Sequence, residues 1–149
     1  MEKKVIGRKE KVSIPDFDLD LVWAKVDTGA YTSSIHAENI QVKEEDGKKV
    51  LTFRVLMPGH KSYTGKEIKL DHFREKSVKN SFGQAETRYL IQVTFQLAGE
   101  EYPAEFTLSD RSKMRNPILL GRKILKDKFL VDVSGYNLAK VYRQKSEEK

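Results

Sequence analysis

The residues best suited to chemistry are Asp27-Thr28-Gly29-Ala30, which follow the short apolar strand Leu21–Val26. A strand ending in an acid, a hydroxyl residue, a glycine and a small residue presents a carboxylate with the backbone folded tightly around it. Gly29 has no Cβ, so amides can close on that carboxylate. Thr28 offers a hydroxyl to a partner loop, and Ala30 leaves room for an extended substrate strand. Two such carboxylates facing each other would share one proton, because like charges about 3 Å apart cannot both ionise. One would take a proton from water while the other polarises a carbonyl, and the pair would titrate as a unit. The same residue types also build ordinary strand-end turns, so the turn alone leaves both readings open.

The sequence holds one Asp-Thr-Gly and no Asp-Ser-Gly to complete such a pair. A single carboxylate cannot supply both protonation states. Chemistry of this kind therefore calls for a homodimer, with Asp27 contributed by each copy on a two-fold axis.

The elements that must position Asp27 read mostly as strands. Tyr89, Ile91, Val93, Phe95 and Leu97 alternate with polar or outward residues, the period of a half-buried strand. After Ala98-Gly99-Glu100-Glu101, the alternation resumes at Tyr102, Ala104, Phe106 and Leu108, which predicts a β-hairpin. Val5–Ile14, Leu21–Val26, Val50–Met57 and Phe129–Val133 are further expected strands, and a short helix is expected from about Leu119 to Lys126, with Gly121 inside it. Many short strands with turn signals argue for an all-β closed barrel with one short C-terminal helix. The 149 residues fit one domain, expected over 1–143, with 144–149 a polar tail.

Composition narrows the function classes. The formal net charge is +6, but Lys and Arg are scattered among Asp and Glu. With no basic helix and no basic stretch interleaved with aromatics along the chain, no nucleic-acid partner is expected. The absence of cysteine excludes disulfides, thiol nucleophiles and Cys-based metal sites. No signal peptide or membrane span is visible, so a cytoplasmic location without a membrane partner is expected; a leader trimmed from a longer parent would leave the same sequence. His36, His60 and His72 have no metal-ligand spacing, and there is no His-Glu-x-x-His. The run from Gly59 to Glu67 misses the phosphate-loop spacing by one residue and has Glu67 where a Ser or Thr should hold magnesium. No metal or cofactor is expected, and His36 is expected to pack below the Asp27 loop.

A second segment, Leu119-Leu120-Gly121-Arg122, completes a pattern with the Asp27 turn. The chain resembles a retropepsin-type aspartic peptidase subunit, in which Asp-Thr-Gly-Ala follows the early strands, a flap hairpin comes next, and a hydrophobic-hydrophobic-Gly-Arg motif opens a short helix. It is more closely similar to the bacterial and archaeal family labelled "ATP-dependent zinc protease", the RimK-associated retropepsin-like peptidases. The segments carrying this are residues 5–10, 24–37, 86–89 and 110–122. The resemblance implies a closed barrel, an aspartic dyad built by homodimerisation and no need for zinc. Asp27, Thr28 and Gly29 would be catalytic. Ala30 and the flap residues Ser81, Phe82 and Gly83 would bind substrate, and Gly121, Arg122 and Arg88 would support the site. The expected partner is a peptide or protein substrate, with a functional link to a RimK-type glutamate ligase; a +6 subunit would suit acidic, glutamylated tails.

One departure bears on the interface. Retroviral subunits carry acidic residues directly after Asp-Thr-Gly-Ala, one of which pairs with the motif Arg. Here Tyr31 and Thr32 stand there, so Arg122 is expected to find another partner, Glu10 or Asp110. Arg88, Arg111 and Arg115 are read as structural ion-pair partners, or as ligands of acidic substrate side chains. Two competing readings remain: a non-catalytic module that binds an extended peptide in the same barrel, and a zinc metallopeptidase.

Overall fold

The computed structural model describes residues 2–79 and 82–147. Strands dominate it. In chain order they are β1 (Lys4–Ile6), β2 (Lys9–Ile14), β3 (Leu19–Val26), β4 (Ser33–Glu45), β5 (Lys48–Val55), β6 (Ile68–Leu70), β7 (Arg74–Lys79), β8 (Ala85–Leu97), β9 (Glu100–Ser109), β10 (Ile118–Leu120) and β11 (Phe129–Val131). The helices are α1 (Arg122–Leu125) and α2 (Lys140–Glu147), with a single 3-10 turn at Pro15–Phe17.

Hydrogen-bonded neighbours run β10-β3-β2-β8-β9-β4, and β10 also pairs with β4, so the path returns to its start. β5 and β6 extend from β4, and β7 pairs with β8. Alternate residues of the β8–β9 hairpin point inside. Ile91, Val93, Phe95 and Leu97 of β8 face Ala104, Phe106 and Leu108 of β9, all buried. The Phe95 and Phe106 rings pack with centroids 5.7 Å apart. Phe53 of β5 meets Phe17 edge-to-face at the same separation. Ala98 and Gly99 join β8 to β9 with φ of 55° and 78°, the two left-handed residues that let a two-residue turn follow the twist of a hairpin.

A smaller parallel pair, β1 with β11, lies outside this sheet. It is tied to the rest by Glu10, whose fully buried carboxylate accepts backbone N–H bonds from Gly7 (2.7 Å), Leu138 (2.9 Å) and Ala139 (3.0 Å). The Val5 amide donates to the Tyr142 hydroxyl of α2 at 3.0 Å.

Several expected boundaries shift: β3 begins at Leu19 rather than Leu21, β5 runs Lys48–Val55 rather than Val50–Met57, and β11 ends at Val131 rather than Val133. The single early strand over Val5–Ile14 is two, because the chain breaks pairing partner between Ile6 and Lys9. Leu119 and Leu120 are strand, not helix: they are held between β3 and β4, and the helix opens only after Gly121. Residues 144–147, read as part of a polar tail, belong to α2.

Candidate active site

Asp27 stands one residue beyond the paired end of β3. Val26 is the last residue in register with β10, opposite Leu120. The Val26 amide donates to the Arg8 carbonyl and the Asp27 amide to the Leu120 carbonyl, each at 2.9 Å. The half-buried Asp27 carboxylate then closes its own turn: Oδ1 accepts the Gly29 N–H at 2.9 Å, while the Ala30 amide donates to the Asp27 carbonyl at 3.2 Å. A Cβ on Gly29 would lie 3.2 Å from that same Oδ1, so glycine keeps the amide near enough to bond. Thr28 and Gly29 face solvent, with Ala30 half-buried beside them.

The second motif docks onto this turn. The Gly121 amide donates to the buried Ser33 hydroxyl at 2.9 Å, the Arg122 amide to the Ala30 carbonyl at 2.8 Å, and the Lys123 amide to the Tyr31 carbonyl at 3.0 Å. The first N–H groups of α1, which have no partner within the helix, are thus spent on the Asp27 loop. Any Cβ at Gly121 would meet the Tyr31 carbonyl oxygen at 2.8 Å and Thr32 at 2.9 Å. The two motifs of the sequence are therefore one assembly.

Arg122 takes neither carboxylate expected for it. Glu10 is committed to three backbone amides, and Asp110 accepts the Ser112 N–H at 2.9 Å. The Arg122 guanidinium instead donates to the Thr28 carbonyl at 2.9 Å and lies 5.8 Å from the Tyr31 ring centroid. With Tyr31 in place of an acid, a carbonyl and an aromatic face do the work of an ion pair.

Arg111 is the contributor that the sequence left undecided. Its Nε donates to the Asn116 carbonyl at 3.2 Å and its Nη1 to the Ser34 hydroxyl at 3.4 Å. Burial lowers its pKa, and the nearby Asp27 carboxylate raises it in opposition. A guanidinium fixed in that position is a standing positive charge near the candidate acid. Its backbone is held in turn by His36, which is almost fully buried and accepts the Arg111 N–H on Nδ1 at 2.8 Å. His36 thus supports the Arg111 segment, and its own amide donates to the Pro117 carbonyl at 2.8 Å. The hydroxyls Ser33 and Ser34 also hold this site, bonding the Gly121 amide and Arg111; two serines shortly after the Asp27 turn are the sequence signal for them.

The other expected site residues lie on the β7–β8 arm, paired from Arg74 with Leu90 to Lys79 with Ala85. Arg88 sits within it, its Nε 3.6 Å from a Glu86 carboxylate oxygen. Phe82 is exposed at the tip, and Gly83 has φ +78°. Ser81 lies outside the described residues. Among the described residues, no group of three acidic or histidine side chains gathers as a metal site, and no helix is long and apolar enough to cross a membrane.

Comparison with known proteins places the chain in a family. Residues 5–141 match the family model "RimB-like: Retropepsin-like aspartic endopeptidase RimB". Proteins named "Probable alpha-L-glutamate ligase" from Desulfotalea psychrophila and Shewanella pealeana are 34% and 35% identical, over 99% and 89% of this chain. The matches cover 34% and 29% of those proteins, so the chain spans about a third of the length of the curated relatives it matches. The crystal structure of Lpg0085, a Legionella pneumophila protein of unknown function, superposes with a TM-score of 0.72 at 26% identity, covering 93% of this chain and 99% of that one. With its Asp-Thr-Gly turn, its docked Gly-Arg motif and a family match over nearly its whole length, the chain belongs to the RimB-like family of retropepsin-like proteins.

Proposed function

We propose that this chain is one subunit of a homodimeric aspartic endopeptidase. The observation that carries the reading is the Asp27 carboxylate, held at a strand end by the Gly29 amide while α1 grips the same loop. In the dimer, Asp27 of each subunit faces its twin across the two-fold axis and the two share one proton. The ionised member takes a proton from water as it attacks the peptide carbonyl. The protonated member polarises that carbonyl and then returns its proton to the leaving amine. Thr28 bonds the partner's turn, and Arg111 places a positive charge near the dyad. The ring of strand pairings is the closed barrel of such a subunit. The β7–β8 arm is the flap, with Phe82 and Gly83 as its substrate contacts, and it covers an extended peptide and excludes water. Arg88 braces that arm.

The substrate class we assign is the acidic protein tail. Two features support it: the net charge of +6, and the length shared with proteins named as glutamate ligases. A peptidase that trims glutamate tails fits functionally beside an enzyme that adds them.

The test is Asp27→Asn. Turnover of a glutamate-rich peptide should vanish while the circular dichroism spectrum and thermal midpoint stay near wild type, and pepstatin-type inhibitors should block the wild type. Turnover by Asp27→Asn at the wild-type rate, or by a strict monomer in sedimentation, refutes the reading. A peptide that binds the wild type but is never cut would favour the binding-module alternative.

A further inference from the structure

Strand pairing assembles a cationic surface that the linear sequence does not display. On the outward face of β2 and β3, Lys9 stands directly opposite Lys25, and Lys11 opposite Trp23. The ammoniums of Lys9 and Lys11 lie 4.8 and 5.1 Å from the Trp23 ring centroid. Trp23 in turn packs against Tyr136 at 6.4 Å, and the Arg8 guanidinium lies 5.1 Å from the Tyr136 ring. Among the described residues, none of Arg8, Lys9, Lys11 and Lys25 has an ion-pair partner.

The neighbouring carboxylates are engaged elsewhere. Glu10 points inward onto three amides. Asp20 accepts the Ser13 hydroxyl proton at 3.1 Å, and Asp132 accepts both the Ser134 N–H and its hydroxyl. Two lysines placed squarely across a strand pair repel each other, a cost to the fold that the aromatic rings only partly offset. An anionic ligand removes that cost.

We propose that Arg8, Lys9, Lys11 and Lys25, on their Trp23–Tyr136 bed, form a docking track for an extended acidic peptide that leads toward Asp27. The proposal rests on the acidic-tail reading above. The track adjoins the candidate site: Lys25 is two residues before Asp27, and the Arg8 carbonyl accepts the Val26 N–H. Side chains two apart on an extended chain recur about every 6.6–6.8 Å. That is the rise separating Lys9 from Lys11 on their own strand, so alternate glutamates of an extended tail match alternate lysines. The aromatic rings already carry cations and touch each other, so the surface offers charge rather than bare faces on which nucleobases could stack. This favours carboxylates over a nucleic acid.

The experiment uses the uncleaving Asp27→Asn chain, so that binding is read whether or not the peptidase reading holds. Labelled hexaglutamate, hexaglutamine and a short single-stranded RNA are titrated by fluorescence anisotropy at low and at physiological salt. Hexaglutamate should bind more tightly than the other two, and more weakly as salt screens the contacts. Adding Lys9→Gln, Lys11→Gln and Lys25→Gln together should weaken hexaglutamate binding about tenfold, at a few tenths to 1 kcal/mol per exposed contact. The single exposed Lys25→Gln should weaken it about twofold to threefold with an unchanged thermal midpoint. Unchanged affinity in both variants overturns the proposal, as does tighter binding of the RNA. Loss of turnover in the parent enzyme bears only on the peptidase reading.

Discussion

Gly121→Ala would strike the joint between the two motifs. The new Cβ would lie 2.8 Å from the Tyr31 carbonyl oxygen and 2.9 Å from Thr32, both backbone atoms. Ordinary contact distances begin near 3.5 Å, so a displacement of roughly 0.5 Å or more is required. The neighbours have little freedom to yield: the Tyr31 carbonyl is bonded by the Lys123 amide, the Ala30 carbonyl by the Arg122 amide, and Gly121 itself is tied to Ser33. Overpacking against atoms so held costs about 1–3 kcal/mol. With an m-value of about 1–3 kcal/mol/M, the urea midpoint should fall by on the order of 1 M at constant m. The displaced segment is the loop between β3 and β4, and it includes Ala30, whose amide closes the Asp27 turn, so peptide turnover should fall more steeply than stability does. A variant with the wild-type urea midpoint would show that the joint is not the tight contact described here and would refute the reasoning.

Other perturbations test other parts of the molecule. Glu10→Ala leaves three backbone donors without their acceptor and should cost several kcal/mol, about 1–3 for each buried donor though not additively; Glu10→Gln keeps part of the acceptor set and should lose less in the same urea titration. Glu105 is bonded by Lys123 and by Arg74, which hold its carboxyl below the usual range against the opposing effect of burial. A depressed carboxylate stabilises above its unfolded-state pKa and loses that contribution as pH falls through its folded one. Glu105→Gln should therefore be less stable than wild type at pH 7, with the gap closing below about pH 4. The Tyr102 hydroxyl is buried with no hydrogen-bond partner among the described residues, and burial raises its pKa. Tyr102→Phe removes that group at nearly constant shape and should be neutral or stabilising in a thermal melt.

How much of this was legible in the sequence varied with local pattern. The β8–β9 hairpin was plain because one face is buried and the other wet, which writes a period of two into Tyr89–Leu97. The Asp27 turn and the Leu119–Arg122 motif were legible as separate signals, and their mutual contact explains why both are present. β4 was hidden, because Ser33–Ala37 are all buried between β9 and β10 and so do not alternate. Leu119 and Leu120 read as helix because two leucines before Gly-Arg carry no period, and only pairing to β3 and β4 makes them strand. Arg122's partners could not be read at all: a carbonyl and a ring face leave no charge pattern. The basic surface was missed for a related reason, since Lys9, Lys11 and Lys25 are brought together with Trp23 only by strand register.

The pairing of β1 with β11, and the bond from Val5 to Tyr142, bring the chain back beside its own beginning. A fold of this kind can be carried as a cassette. A longer polypeptide could enter and leave it at nearly one point, without threading past Asp27 or disturbing the loops around it. A chain joined through its ends and reopened in a distant surface loop should close on the same Asp27 turn.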